Sequence, residues 1–257
     1  MEKRRLHIVK IGGKLINEAS LLDAFLSSFA SLPQPKILIH GGGRKATEIS
    51  ERLGIETKMI DGRRITDAQT LEVATMVYGG LLNRQIVAHL QKMSVNATGL
   101  TGADGDLVRS HRREVKEIDY GFVGDIDAIN LKSLKSLLDA DFVPVVCALS
   151  HDGKGQLLNT NADTMATQIA IAASTHYETS LSFCFEFPGV LYDPVNATET
   201  IANITRGTFE EMKQSGTISA GMIPKLSNGL EAAAAGIPVD ICGIENLITK
   251  DKATFIL

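Results

Sequence analysis

A glycine-rich turn follows the first strand-like segment of the chain and could bind an anion. Lys10-Ile11-Gly12-Gly13 stands at the carboxyl end of the apolar run Leu6–Ile11, and open parallel sheets bind their ligands at such ends. Gly12 and Gly13 leave their backbone N–H groups uncovered, and Lys10 adds a positive charge. This combination suits phosphate oxygens. An ordinary strand-to-helix turn is the alternative interpretation.

A second turn of this kind, His40-Gly41-Gly42-Gly43, also follows a strand-like run and precedes a helix-like one. Gly41-x-Gly43 with Asp61 downstream matches part of a dinucleotide-binding fingerprint. A His-Gly-Gly-Gly run also builds oxyanion holes in α/β-hydrolases, but the sequence has no Gly-x-Ser-x-Gly motif, and it has no P-loop motif. The third interpretation is an anion cradle at a helix N-terminus, for a carboxylate or for a phosphoryl group during transfer.

Three further segments carry charged or amide side chains next to predicted helices. Gly62–Arg64 offers guanidinium groups that can bind a carboxylate with two hydrogen bonds, although a solvated arginine pair is the alternative. Asn159–Asp163 is a polar junction, in which Asn161 could simply cap the following helix. Gly221–Lys225 places Lys225 in the first turn of a helix. A cation there opposes the helix dipole, and a bound anion would relieve that cost.

The elements that must position these segments alternate between short apolar strands and longer helices. Strands are predicted at Leu6–Ile11, Lys36–His40, Val95–Leu100, Phe142–Ala148, Ser180–Phe185, Pro238–Cys242 and Thr254–Leu257. The longest predicted helix spans Asp67–Lys92. Buried strands joined by helices predict right-handed crossovers and an α/β fold, as a three-layer α/β/α sandwich around a mainly parallel open sheet. We expect one domain with two lobes, the second of which starts near residue 175.

The composition narrows the class of protein. Among 257 residues, 26 Lys and Arg stand against 30 Asp and Glu, so no excess of cations indicates binding to nucleic acid or to an anionic membrane. The globular balance of apolar and charged residues excludes disorder. Cys147, Cys184 and Cys242 lie far apart, which indicates reduced, mostly buried thiols instead of a disulfide framework or a zinc site. Without an apolar run long enough to span a membrane, we expect a soluble cytoplasmic protein.

Five motifs together resemble those of one family. In chain order they are Lys10–Gly13, His40–Gly43, Gly62–Thr66, Asn159–Asp163 and Gly221–Lys225. They are similar to the Lys-x-Gly-Gly, His-Gly-Gly-Gly, Gly-x-Arg-x-Thr, Asn-x-Asn-Ala-Asp and Gly-Met-x-x-Lys motifs of the amino acid kinase family. Essentially the whole chain resembles the N-acetylglutamate kinases of that family. The resemblance implies phosphorylation of the γ-carboxylate of an N-acylated glutamate by ATP and Mg²⁺, the second step of arginine synthesis.

The resemblance also implies a catalytic set. Lys10 and Lys225 would neutralise negative charge on the transferring phosphoryl group, and Asp163 would hold the two lysines in place. The chemistry is consistent with this set, because a carboxylate is already a nucleophile and needs no general base. Phosphoryl transfer requires mainly positioning and cations near an anionic transition state.

The binding roles that the resemblance implies divide between the two lobes. In the lobe of about residues 1–174, the α-carboxylate would contact Arg64 and Asn159, and the γ-carboxylate and phosphoryl oxygens would contact the N–H groups of Gly12, Gly13, Gly42 and Gly43. In the lobe of about residues 175–257, the nucleotide would contact Glu186, Gly189, Leu191, Thr217 and Ser219. Mg²⁺ would be held by the nucleotide phosphates and by water, so no protein ligand is assigned to it.

The sequence departs from the family pattern at several positions. Glu186 stands where the family usually has Asp, and Phe187 stands where a smaller residue is common. Arg44 and Lys45 follow the glycines where several members have small or apolar residues, and Arg63 adds a cation next to Arg64. They are either solvated or pair with an acidic acyl group, so N-succinyl-glutamate is an alternative substrate. Only a few residues precede Leu6, too few for the additional helix of hexameric members, and we therefore expect a homodimer that is insensitive to arginine.

Three rival functions remain open at this point. Another enzyme of the same family could act on glutamate, carbamate, aspartate or a nucleotide. A non-catalytic nucleotide-binding regulator could retain the fold, although the presence of Lys10, Asp163 and Lys225 argues against it. A dinucleotide-dependent oxidoreductase could use Gly41-x-Gly43, but it would leave Lys225 and the Asn159–Asp163 segment unexplained.

Overall fold

Short strands and helices alternate along the chain in a computed structural model that describes residues 3–60, 63–192, 199–218 and 221–257. The strands are β1 (Arg5–Ile11), β2 (Lys36–His40), β3 (Met59–Ile60), β4 (Arg63–Arg64), β5 (Ala97–Leu100), β6 (Val108–Arg112), β7 (Gly124–Ile129), β8 (Val143–Cys147), β9 (Leu149–His151), β10 (Leu157–Asn159), β11 (Glu178–Phe185), β12 (Asn203–Ile204), β13 (Val239–Gly243) and β14 (Thr254–Ile256). The α-helices are α1 (Gly13–Asn17), α2 (Ala19–Ser31), α3 (Gly43–Arg52), α4 (Ala68–Ala74), α5 (Asn83–Lys92), α6 (Leu131–Asp139), α7 (Ala162–Ser174), α8 (Arg206–Gln214), α9 (Met222–Ala234) and α10 (Asn246–Thr249).

The chain divides into two compact units. The terminal unit comprises Met1–Lys36 and Ala166–Leu257, and the central unit comprises Ile37–Met165. Strand β1 pairs in parallel with β11 over its whole length, and this pairing joins the start of the chain to its second half. The predicted lobes follow the order of the sequence, whereas these units do not, because a composition pattern carries no information about which distant strands pair.

The terminal unit contains the strand order β12-β14-β13-β11-β1. Strands β1, β11 and β13 run parallel, and β14 is antiparallel to β13. Buried apolar side chains follow one another along β1 and β11, as expected for strands that are covered on both faces. The carboxyl ends of β1, β11 and β13 therefore lie at one edge of this sheet.

The central unit contains a parallel set, β2-β8-β5, and a second sheet of order β10-β9-β6-β7 that is mostly antiparallel. The short hairpin β3–β4 stands apart from both. Helix α3 begins directly after β2, and α7 begins shortly after β10. The predicted α/β class with a mainly parallel sheet is confirmed.

The long predicted helix over Asp67–Lys92 is interrupted. It consists of α4, a π-helix over Thr75–Leu82, and α5. Asp67 caps its start, since its side chain accepts a hydrogen bond from the Thr70 N–H. A π-helix adds one residue to the turn and is often found at functional sites, and here it carries Tyr78 and Leu82.

The cysteines are free thiols, and each one is buried, as the sequence predicts. Burial raises the pKa of Cys147 to about 12, so this thiol is protonated at neutral pH and is a poor nucleophile. Within the described residues, no helix has both the length and the apolar character that a membrane crossing requires.

Candidate active site

The glycine cradle, Gly41–Gly43, connects the end of β2 to the start of α3 in the central unit. Gly42 precedes the first helical residue, and its carbonyl accepts the hydrogen bond from the Ala46 N–H at 2.9 Å. A Cβ at Gly42 would lie 2.6 Å from Tyr78 Cδ1 and 2.7 Å from Leu82 Cδ1. The π-helix thus leaves no room for a side chain at this position. The cradle combines a helix N-terminus with glycine peptide groups, the arrangement expected for binding an anion.

His40 lies beneath the cradle and is completely buried. Its Nδ1 is 2.7 Å from the Gly41 carbonyl oxygen, and its Nε2 is 3.0 Å from Asn83 Nδ2. Desolvation by burial lowers the pKa of His40 to about 4, and the hydrogen bond with Gly41 offsets only part of this effect. The imidazole is therefore neutral at physiological pH.

We expect His40 to make the free energy of unfolding fall on acidification. Burial lowers its pKa from 6.5 to about 4, so between these values the unfolded chain binds a proton that the folded protein does not bind. The stabilising contribution is complete above about pH 6.5, is lost as the pH falls towards 4, and amounts to about 3 kcal/mol at most.

Urea unfolding of the wild type and of His40→Asn at about pH 7 and about pH 4.5 measures this contribution. The difference in unfolding free energy between the two proteins should shrink at the lower pH, because asparagine does not titrate. A difference that stays constant would contradict the lowered pKa.

Arg64 ties β4 to the cradle. Its Nη2 donates to the Gly43 carbonyl at 2.9 Å and to Thr47 Oγ1 at 2.7 Å, and its Nη1 donates to Thr57 Oγ1 at 3.2 Å. The structure therefore brings two of the predicted substrate-binding residues, Gly43 and Arg64, into direct contact. These three hydrogen bonds fix the position of the guanidinium beside the cradle.

Asn159 joins the same cluster through Thr66. Asn159 ends β10, and its Nδ2 donates to Thr66 Oγ1 at 3.0 Å. The Thr66 hydroxyl also lies 3.3 Å from the carbonyl of Arg64. The central unit thus gathers Gly42, Gly43, Arg64 and Asn159, although they come from distant parts of the sequence.

Asp163 lies in the first turn of α7 and is only 8% exposed. The predicted capping by Asn161 is present, because its Oδ1 accepts hydrogen bonds from the N–H groups of Asp163 and Thr164. Asn161 therefore caps the helix through these two backbone N–H groups. A buried carboxylate is stable only with compensating interactions. Its action on the lysines stays a prediction.

Lys10 and Lys225 occupy one region of the terminal unit. Lys10 pairs in register with Phe183, so the two side chains lie on the same face of the sheet. Lys225, in the first turn of α9, places its Nζ 5.3 Å from the centre of the Phe183 ring. Both lysines are more than nine-tenths buried. A buried cation requires compensating interactions, and the contact with the Phe183 ring is one of them for Lys225.

The turn after β1 approaches the neighbouring strand closely. The Gly12 N–H donates to the Cys184 carbonyl at 2.7 Å, and a Cβ at Gly12 would lie 3.2 Å from the same oxygen. Gly13 begins α1 and has open space around its Cα. Gly12 is thus engaged in the fold, so Gly13 is the better placed of the two to approach a ligand.

The predicted nucleotide-binding residues Glu186, Gly189, Leu191 and Thr217 lie in the terminal unit. Ser219, the fifth of them, lies outside the described residues, and so does Gly62 of the arginine motif. Glu186 is exposed directly after β11. Gly189 is confined, because a Cβ there would be 2.7 Å from the Lys252 carbonyl, and Leu191 is buried. Thr217 is exposed, and its hydroxyl lies 2.8 Å from that of Ser215. Their roles stay predictions.

The sequence motifs did not include two side chains that contact the cradle or its support, Tyr78 and Asn83. Tyr78 packs against Gly42 of the cradle. Burial raises the pKa of Tyr78, and the nearby Arg64 guanidinium partly offsets this rise. Asn83 holds the buried His40. The available signal was Gly79-Gly80 within a helical pattern, because paired glycines in a helix indicate an irregularity or a close approach.

Comparison with known proteins places this fold and these motifs in one family. The amino acid kinase family model matches residues 5–243. The chain therefore belongs to the amino acid kinase family, and kinases of this family imply the use of ATP.

Individual relatives narrow the comparison. An acetylglutamate kinase from Bacteroides thetaiotaomicron is 48% identical over 98% of this chain and 98% of its own length. An acetylglutamate kinase from Cytophaga hutchinsonii is 50% identical over 95% of this chain and 94% of its own. Among solved structures, smu.665 from Streptococcus mutans has a TM-score of 0.80 at 25% identity and covers 98% of both chains.

Proposed function

We propose that the protein transfers the γ-phosphoryl group of ATP to the γ-carboxylate of N-acetyl-L-glutamate, the second step of arginine biosynthesis. The observation that carries this proposal is the 48% identity to an acetylglutamate kinase over 98% of both chains. The clustering of Gly43, Arg64 and Asn159 adds support, because these are the groups needed to hold a dicarboxylate. The protein is then a phosphotransferase with a carboxyl group as acceptor.

The acylated glutamate binds to the central unit in this proposal. Arg64 and Asn159 take the α-carboxylate, and the α3 N-terminus with Gly42 and Gly43 takes the γ-carboxylate. Arg64 suits the first task because it is a fixed cation, and charge-assisted hydrogen bonds to a carboxylate are strong. The peptide N–H groups suit the second, since they stabilise an anion without forming a covalent bond to it.

The chemical step needs no general base. A γ-carboxylate oxygen attacks the γ-phosphorus of ATP, the bond to the β-phosphate oxygen breaks, and ADP leaves with that electron pair. Lys10 and Lys225 are the cations that we assign to the charge on the phosphoryl group during transfer. The N–H group of Gly13 is assigned to its oxygens, because the Gly12 N–H already donates to the Cys184 carbonyl. Such electrostatic stabilisation is the main contribution that a protein makes to phosphoryl transfer.

Mg²⁺ fits this site as an ion carried by the nucleotide. Within the described residues, no group of three His, Cys, Asp or Glu side chains could hold a metal ion, whereas Mg²⁺ commonly binds through substrate phosphates and water. The ion would supply charge neutralisation on the phosphates. We further propose that the nucleotide binds near Glu186, Gly189, Leu191, Thr217 and Ser219, and that the enzyme acts in the cytoplasm as a homodimer, which light scattering would test.

Measuring ADP release from Mg-ATP with N-acetyl-glutamate, N-succinyl-glutamate or free glutamate tests the proposal. We expect turnover with an acylated form and none with free glutamate. Folded protein that binds ATP and turns over none of the three would instead support the non-catalytic regulator. NAD(H) binding would favour the oxidoreductase.

The acyl group is the subject of a separate prediction. Arg63 is exposed and lines a cavity of about 530 Å³ together with Arg113 and Lys116. Arg44 is exposed in the first turn of α3. If either cation pairs with a succinyl carboxylate, Arg63→Ala or Arg44→Ala should raise KM for N-succinyl-glutamate by about tenfold and leave N-acetyl-glutamate unaffected. Equal losses on both substrates would contradict the pairing.

A further inference from the structure

We propose that His40 is a positioning residue of the glycine cradle, which holds the Gly41–Gly42 peptide so that the Gly42 N–H points towards the bound acylglutamate. This inference rests on the proposed function, because it concerns the same site. His40 does not itself touch the substrate in this proposal. It acts through the direction that it imposes on the backbone.

The hydrogen bonds around Asn83 determine the orientation of its amide. Asn83 Nδ2 donates to the Val145 carbonyl at 2.9 Å, and Asn83 Oδ1 accepts from Arg84 Nη2 at 2.8 Å. A carbonyl can only accept and a guanidinium can only donate. Each partner therefore fixes which end of the amide faces it, and the amide nitrogen is the end that faces His40.

The Asn83 orientation in turn decides the tautomer of His40. The amide nitrogen has only protons to offer, so His40 Nε2, 3.0 Å away, must accept a hydrogen bond. A neutral imidazole that accepts at Nε2 carries its proton on Nδ1. That proton is then donated to the Gly41 carbonyl, 2.7 Å away. Since His40 is fully buried, water cannot compete for either nitrogen.

The consequence for the cradle follows from peptide geometry. In a trans peptide, the N–H points opposite to the C=O of the preceding residue, and the Gly41–Gly42 bond is not among the cis bonds of the described residues. Holding the Gly41 carbonyl towards His40 directs the Gly42 N–H away from it. Tyr78 and Leu82 occupy the space beside Gly42 Cα, which restricts rotation of the same peptide from another side.

The surrounding structure is built to accommodate this chain of hydrogen bonds. Arg84 Nη2 also donates to the Gly99 carbonyl at 2.8 Å, and a Cβ at Gly99 would overlap Asn83 Oδ1. Glycine at position 99 thus allows Asn83 and Arg84 to approach β5.

Two substitutions separate the functions of the ring nitrogens. The amide nitrogen of asparagine lies near the position of Nδ1, and the amide oxygen of glutamine can lie near the position of Nε2, where it accepts from Asn83 Nδ2. His40→Asn therefore preserves the donor to Gly41 and loses the contact with Asn83, while His40→Gln does the reverse. Both variants remove the ring, so their loss of packing is similar.

The measurements are kcat and KM for the acylglutamate in the wild type and both variants, together with the melting temperature. We expect kcat/KM to fall by about tenfold to a hundredfold in His40→Gln and by less than about threefold in His40→Asn, with similar losses in melting temperature. Equal losses of kcat/KM in the two variants would overturn the proposal, because a purely structural role does not distinguish the two nitrogens.

Nitrogen-15 NMR of the histidine ring in the intact wild-type protein supplies a readout that does not depend on activity. The proposal requires Nδ1 to be protonated and Nε2 to be unprotonated at neutral pH. A ring protonated at Nε2 would overturn it. If instead the tautomer is as stated but the wild type turns over no acylglutamate, the proposed function fails and the hydrogen-bond assignment stands.

Discussion

Replacing Lys225 by methionine should lower kcat by about a hundredfold to a thousandfold, with little change in KM for the acylglutamate. Methionine has a similar length and is apolar, so it can occupy the buried position over Phe183 without contributing charge. The lost interaction is one that strengthens as charge develops on the transferring phosphoryl group, and such a loss appears in kcat. Lys10→Met should have an effect of the same order, because Lys10 lies on the same face of the sheet.

Steady-state ADP release measures this effect, and the melting temperature shows whether each variant is folded. Lys213→Met is a matched control, since Lys213 is an exposed lysine on α8 of the same unit. It should retain the wild-type kcat. A folded Lys225→Met protein with kcat within about threefold of the wild type would remove Lys225 from the catalytic set.

Gly42→Ala is expected to have the second large effect, on both stability and substrate binding. The added methyl group would lie 2.6 Å from Tyr78 Cδ1 and 2.7 Å from Leu82 Cδ1. Either the π-helix or the cradle must move, and overpacking of this kind costs about 1–3 kcal/mol. A displaced cradle would no longer present its N–H groups to the γ-carboxylate, so KM should rise at least about tenfold.

Gly43→Ala is the matched control for this substitution. The atom nearest to a Cβ at Gly43 is Arg64 Nη2 at 3.8 Å, an ordinary van der Waals contact. Gly43→Ala should therefore be close to neutral for stability. Urea unfolding and titration with N-acetyl-glutamate test both variants, and equal destabilisation by the two substitutions would show that Tyr78 and Leu82 do not confine the cradle.

The α/β class followed from the sequence because its cause is local. Apolar runs such as Leu6–Ile11 and Lys36–His40 are short, are rich in branched residues and are followed by helical patterns, so they could only form buried strands. The cap at Asn161 also followed from the sequence, because capping depends on residues within one turn. By contrast, the paired glycines Gly79 and Gly80 indicate only an irregularity within Asp67–Lys92, and they do not specify a π-helix.

The candidate site shows the same division. The sequence by itself determined the set of chemical groups, because glycine turns, lysines and amides at the ends of strands and helices are readable from type and spacing, and five such motifs together indicated the family. Only the tertiary structure decided which of these groups meet. Arg64 donates a hydrogen bond to the Gly43 carbonyl, and Thr66 contacts both Arg64 and Asn159. A neutral His40 contacts the Gly41 carbonyl of the cradle. The physical reason is that such contacts join residues dozens of positions apart through strand pairing and burial. Burial also sets the pKa of His40. Sequence patterns, by contrast, describe only the chemistry of neighbours along the chain.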